Sequence, residues 1–276
     1  ETGEVVTPDQ RKLTILSLDE IAKLEPPTYV IDDLVTEFGF TLVYGAPASF
    51  KSFLTLDWLL CMAYGKPWCG REVLPKNVLY IAGEGVGGIK KRVHAWRQEN
   101  SLLGQPAPFY MLRHGINFTS KQDIEDLLSA AVAMGINFGY IAVDTVARAM
   151  VGADEKDAMA MGLFIEACDR LREHFKCGLA AVHHTGKDTS LGARGSSALP
   201  AAVDTEIMVE RTEETMIMVM KVKKQKDDEE GPDRYFEAVK IDLPSEGIKP
   251  VSSLVLRAKD QAPVEPGLTK NQVNEM

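Results

Sequence analysis

Metal and disulfide signatures are absent from this 276-residue sequence. Its four cysteines, Cys61, Cys69, Cys168 and Cys177, make no Cys-x-x-Cys pair and no His/Cys cluster at zinc spacing. Reduced thiols in a cytoplasmic protein are therefore expected. Basic residues are not in excess: the formal net charge is −9, which excludes coating nucleic acid by bulk charge but leaves room for a local basic track. No apolar run reaches membrane-spanning length, because Asp57 interrupts the best stretch, Leu54 to Ala63. No charged-then-apolar segment opens the chain, and no membrane partner is expected. Internal repeats and low-complexity blocks are missing too.

What is present is an ordinary globular composition, 45% hydrophobic and 26% charged, long enough to bury a core without staples. Residues 1–26 are polar and end in Pro26-Pro27, which reads as an arm with one short helix at Ser17 to Leu24. Residues 27–257 read as one domain in which apolar runs alternate with helical stretches. Strands are expected at Phe40–Tyr44, Asn77–Ala82, Tyr140–Asp144, Gly178–His183, Thr205–Glu210 and Met216–Val222. Helices are expected at Lys51–Tyr64, Gly87–Glu99, Lys121–Met134 and Met159–Phe175. The first four strands are near-continuously apolar, as strands covered on both faces must be. The fold class that follows is α/β, a mostly parallel central sheet flanked by helices. A turn near Thr212 to Thr215 makes the last two strands a hairpin closing the sheet with an antiparallel edge. Residues 258–276 read as a linker and the start of a further module.

The strongest motif is Gly45-Ala46-Pro47-Ala48-Ser49-Phe50-Lys51-Ser52, running into Phe53. It follows an apolar strand and opens a helix taken as amphipathic, the context of a phosphate-binding loop. Backbone N–H groups and the positive helix end would cradle the anion, Lys51 would reach the β- and γ-phosphates, and Ser52 would hold Mg²⁺. Phe50 stands where the usual pattern has its second glycine. Ordinary helical angles are expected there, with the ring turned away from the phosphates.

Asp144 ends an apolar strand, the placement of a carboxylate beside the Mg²⁺ shell; a helix cap is the plainer reading. Glu84 lies two residues past another strand in Gly83-Glu84-Gly85. It is either a general base orienting water towards the γ-phosphate or an exposed turn residue. His183-His184 closes a further strand. A phosphate sensor, a structural pair and a metal ligand are all open, although neighbours on a strand face opposite ways. Lys90-Lys91-Arg92 is either a solvated helix face or a nucleic-acid track. The basic run Lys221 to Lys226 is either a solvated hairpin tip or a source of a cation for a neighbouring site.

Taken together, Gly-Ala-Pro-Ala-Ser-Phe-Lys-Ser, Leu-Tyr-Ile-Ala-Gly-Glu-Gly, Val-Asp-Thr, and His-His-Thr-Gly-Lys leading into Arg194-Gly195-Ser196-Ser197-Ala198-Leu199 resemble the RepA-like ATPases of plasmids and phages. These are relatives of the DnaB-type ring helicases in the RecA-fold superfamily, and the resemblance covers roughly residues 27 to 245. It implies a RecA-like P-loop ATPase core, a homohexameric ring with ATP and Mg²⁺ between subunits, single-stranded DNA and other replication proteins as partners, and the host cytoplasm as location if phage-encoded. Lys51, Ser52, Asp144 and Glu84 match the nucleotide, Mg²⁺ and water-polarising positions, and His183 or His184 matches the sensor. Lys187 and Arg194 flank the loop, residues 186–193, that matches a DNA-touching channel segment. The arginine finger expected after Arg-Gly-Ser is replaced by Val203-Asp204-Thr205. Arg211, Lys224 and Lys226 are left as trans-acting candidates. A partner-binding ATP switch that does not translocate is the alternative, and a non-hydrolysing structural module is a third.

Overall fold

The computed structural model describes residues 15–83, 86–185, 196–212, 215–226, 228–244 and 250–260. The order of elements is α1 (Leu18–Ile21), β1 (Tyr29–Ile31), β2 (Val35–Thr36), β3 (Phe40–Gly45), α2 (Lys51–Tyr64), β4 (Val78–Ala82), α3 (Val86–Glu99), β5 (Phe109–Met111), α4 (Lys121–Met134), β6 (Tyr140–Asp144), α5 (Val146–Ala149), α6 (Ala158–Phe175), β7 (Gly178–His184), α7 (Ala198–Ala202), β8 (Thr205–Arg211), β9 (Ile217–Gln225), β10 (Arg234–Leu243) and β11 (Val251–Lys259). β1 and β2 form a small antiparallel ribbon. The other nine strands form one sheet in the order β11-β10-β9-β8-β3-β7-β6-β4-β5.

From β8 to β5 the neighbours run parallel, and from β8 outward to β11 they run antiparallel. The apolar runs account for this. β3, β4 and β6 are buried at every position, as the two-sided cover of a parallel sheet demands. One apolar cluster packs between the sheet and α2 and α3, the other between the sheet and α4 and α6. Among the described residues no helix is long and apolar enough to cross a membrane.

Two expectations need correction. The sheet does not end in the β8–β9 hairpin. β10 pairs with β9 over only four residues, Arg234 to Glu237, and then runs on beside β11. The β10–β11 pair lies over the outer side of α2 and α3: Phe236, Ala238 and Val255 join the same cluster as Leu54, Trp58, Ala95 and Trp96. Arg257 holds Glu99 at the end of α3 through two contacts of 2.7 and 3.1 Å, and Gln98 Nε2 donates to the Asp242 carbonyl at 3.1 Å.

The second correction follows from the first. α2 is not an amphipathic surface helix, since ten of its 14 residues are buried. A helix apolar on all sides needs cover on all sides, and the antiparallel strands supply the outer half. Asp57 is a half-buried carboxylate on this enclosed helix. Its carboxylate accepts from Trp68 Nε1 at 2.7 Å and from Trp96 Nε1, in a setting of stacked rings that includes Trp68 on Phe236 and Tyr64 on Trp96.

Candidate nucleotide site

In an open parallel sheet, ligands bind beyond the carboxyl ends of the strands. The neighbouring strands β3, β7 and β6 end here in Gly45, His184 and Asp144; Gly45 pairs with His184, and Asp144 pairs with Val182, two residues short of the end of β7. Backbone bonds tie these ends together. Thr185 N donates to the Gly45 carbonyl at 3.1 Å, and Gly83 N, just past β4, donates to the Asp144 carbonyl at 2.6 Å. Two of the glycines are required by close approach: a Cβ on Gly45 would fall 2.0 Å from the Val209 carbonyl oxygen, and one on Gly83 would fall 2.3 Å from Arg148 Cβ.

Lys51 opens α2 and is 5% exposed. Its ammonium sits inside the loop, donating to the carbonyls of Gly45 at 2.9 Å and Ala46 at 2.7 Å. Burial pulls its pKa down to about 8, against the charge of Asp144, which raises it. Asp144 is itself 5% exposed and accepts from the Tyr80 hydroxyl at 2.6 Å.

Phe50 departs from expectation. Its φ of 71° and ψ of 15° are left-handed, not helical. The chain must turn from loop into helix at this point, which glycine does freely and other residues at a cost of about 1–2 kcal/mol. The ring offsets that cost by packing. It is 9% exposed, meets the Phe53 ring edge-on at 6.1 Å, and lies under the Arg211 guanidinium at 5.0 Å. A prediction follows for folding stability measured by chemical denaturation. Phe50→Ala loses the ring and keeps the strained backbone, costing about 2–3 kcal/mol. Phe50→Gly recovers about 1 kcal/mol of that by releasing the backbone. Equal losses in the two variants would show that the left-handed angle carries no strain.

The histidines separate as neighbours on a strand must. His183 is fully buried, whereas His184 is half-buried on the face that carries Ala180 and looks towards α2. Its pKa is lowered by burial first and by the Lys51 charge second, so it lies within electrostatic reach of the phosphate loop. His184 Nδ1 and Thr185 Oγ1 are buried without a hydrogen-bond partner among the described residues. No group of three His, Cys, Asp or Glu side chains fit to hold a metal occurs among the described residues, so the histidine-metal reading has no support there.

Glu84, Lys187 and Arg194 lie outside the described residues. The three trans-acting candidates fall at opposite ends of the β8–β9 pair. Arg211 ends β8 beside the phosphate loop and rests on its own Phe50, with Nε donating to the Thr215 carbonyl at 2.7 Å. Lys224 and Lys226 lie at the other edge, about 20 Å away along the strands. Lys224 donates to the carbonyls of Pro200 and Val203 at 3.0 and 2.6 Å, and Lys226 reaches Asp204 at 3.3 Å. Asp204 also accepts from Phe40 N at 2.9 Å, which fastens the amino end of β3.

The residues fit a nucleotide with Mg²⁺. A buried cation, the first-turn amides of α2, the Ser52 hydroxyl and the Asp144 carboxylate are an anion cradle beside hard oxygen ligands. The two buried polar atoms of His184 and Thr185 stand at the same edge, where a phosphate oxygen or its water would satisfy them. Sequence reading missed Tyr80 and Thr185. The first was legible only as an apolar strand residue, the second only as part of the His-His-Thr-Gly-Lys string.

Comparisons with known proteins agree with this layout. A model of the AAA domain matches residues 7–190. The crystal structure of the RadB recombinase is similar over 73% of this chain and 87% of its own, with a TM-score of 0.54 and 15% identity. A KaiC-like protein from the hyperthermophilic archaeon Pyrococcus horikoshii OT3 is similar over 75% of this chain and 89% of its own, with a TM-score of 0.54 and 9% identity. No curated protein sequence matches the chain. With two thirds of its length under the family model and these neighbours in fold, the chain belongs to the AAA domain family and has a RecA-like P-loop ATPase fold.

Proposed function

We propose that the protein hydrolyses ATP as a RecA-fold motor of the RepA/DnaB-like helicase type, acting on single-stranded DNA in phage or plasmid replication. The observation that carries the ATPase part is the meeting of Lys51, Asp144 and His184 at one carboxyl edge of the sheet, with Lys51 acting electrostatically on His184 and Asp144 on Lys51. Lys51 and the α2 amides bind the phosphates, and Ser52 and Asp144 hold Mg²⁺, which supplies charge neutralisation on the phosphoryl oxygens. Glu84, directly after the Gly83 anchor, takes the proton of the attacking water, and His184 reports the state of the γ-phosphate. The helicase part rests on the sequence resemblance. In it a homohexameric ring binds single-stranded DNA through Lys187 and Arg194, works with other replication proteins, and operates in the cytoplasm.

A second reading, an ATP-dependent switch that binds a protein partner without translocating, draws on a specific observation. Position 204 is an aspartate, and Arg211, Lys224 and Lys226 are each engaged within their own chain. Steady-state ATP hydrolysis with and without single-stranded DNA separates the two readings. The motor reading expects strong stimulation by single-stranded DNA, and the switch reading expects none. Glu84→Gln is expected to keep nucleotide binding while turnover falls by about 10²–10⁴. Unchanged turnover in that variant would remove Glu84 from the mechanism.

A further inference from the structure

Tyr80 is an unlikely place for a hydroxyl. It lies in the middle of a strand buried at every position, is 1% exposed, and packs in the apolar cluster with its ring 6.4 Å from that of Phe109. The register explains what it does there. Tyr80 pairs with Ala142, and Ala82 pairs with Asp144. Side chains two apart on a strand share a face, so Tyr80 and Asp144 are diagonal neighbours on adjacent strands, close enough for a long aromatic side chain to span the gap. Ala82 directly opposite Asp144 is small and leaves the path open. The hydroxyl arrives at Asp144 Oδ2 at 2.6 Å.

We propose that Tyr80 is a positioning residue for the metal carboxylate. Its bond fixes the rotation of the Asp144 side chain, so that the carboxylate is pre-aimed at the Mg²⁺ carried by the nucleotide. Asp144 ends its strand at the carboxyl edge of the sheet, and the buried Tyr80 hydroxyl on the adjacent strand holds one of its carboxylate oxygens. Outer partners of this kind usually change metal affinity by about 10–100-fold when removed. This inference rests on the ATPase reading above.

The test is Tyr80→Phe in the full chain, which subtracts one oxygen and leaves the ring packed. Binding of a fluorescent ATP analogue is titrated with Mg²⁺, with no turnover in the readout, and thermal melting is followed alongside. The expected result is that binding without Mg²⁺ is unchanged and melting is little altered, while the Mg²⁺ concentration giving half the Mg²⁺-dependent gain in affinity rises about tenfold. An unchanged Mg²⁺ midpoint in Tyr80→Phe, with wild type showing a clear Mg²⁺-dependent gain, overturns the proposal and leaves the ATPase reading intact. Equal loss of binding with and without Mg²⁺ assigns Tyr80 a merely structural role and also overturns it. Wild type that binds no nucleotide at any Mg²⁺ level overturns the ATPase reading, and the proposal falls with it.

Discussion

Lys51→Ala is expected to abolish ATP turnover and to weaken nucleotide binding by about 10²–10³, because hydrogen bonds to charged groups are each worth about 1.5–3 kcal/mol and two phosphates are served. The variant should fold normally, since it removes a buried cation whose present partners are carbonyls of its own loop. Calorimetry gives a sharper readout. Burial lowers the Lys51 pKa to about 8 in the free protein, whereas phosphate charge favours the ammonium form and raises it in the complex. The free protein loses the proton as pH rises through about 8, and binding must restore it. Affinity therefore falls above about pH 8, by up to tenfold per unit, and binding at pH 9 takes up close to one proton. At pH 6.5 the uptake approaches zero. Heats measured in buffers of different ionisation enthalpy count the protons, and Lys51→Ala must erase the difference. Uptake that persists in the variant would move the titration to another group.

The second large effect concerns folding. Asp57→Ala is expected to destabilise the protein by about 2–4 kcal/mol, because it strands two indole N–H groups on tryptophans that are 2% and 5% exposed, at about 1–3 kcal/mol each. Denaturation in urea, followed by tryptophan fluorescence, measures it. Asp57→Asn keeps one acceptor and should fall between wild type and alanine. The pH profile separates the carboxylate from its hydrogen bonds. Desolvation pushes the Asp57 pKa up to about 6, against the pull of both indoles, so the folded state holds a proton more readily than the unfolded chain. This group's contribution to stability grows as pH falls from above 6 towards 4 and is smallest at neutral pH. Asp57→Asn should lose that slope. A wild-type profile flat across this window would show that the indole bonds outweigh desolvation.

Much of the parallel half of the fold is readable from local pattern. The helices expected at Lys51–Tyr64 and Lys121–Met134 have those bounds in the structure, and Tyr140–Asp144 has those bounds as a strand. Apolar strands covered on both faces carry a continuous run, and the phosphate loop carries a fixed string, so each announces itself within a dozen residues. β10 and β11 did not. Arg-Tyr-Phe-Glu-Ala-Val-Lys-Ile-Asp-Leu alternates only weakly and follows the acidic stretch Asp227 to Glu230, so charge masks the strand. Its apolar side chains face α2, more than 170 residues earlier in the chain, and nothing local records that.

The sequence by itself pointed to Lys51, Ser52 and Asp144 as candidates for one nucleotide site, because a phosphate loop is a local string and a strand-ending carboxylate is legible from its apolar run. It also determined that the sheet is mostly parallel. Only the tertiary structure decided that Phe50 takes glycine's left-handed turn, that α2 is enclosed on its outer side, and that Tyr80 and Asp57 each hold a polar partner inside an apolar cluster. The reason is the same in each case. A side chain's rotation and its hydrogen-bond partner depend on what the fold brings beside it, and for Asp57 and Tyr80 those partners lie between 11 and 64 residues away in the chain.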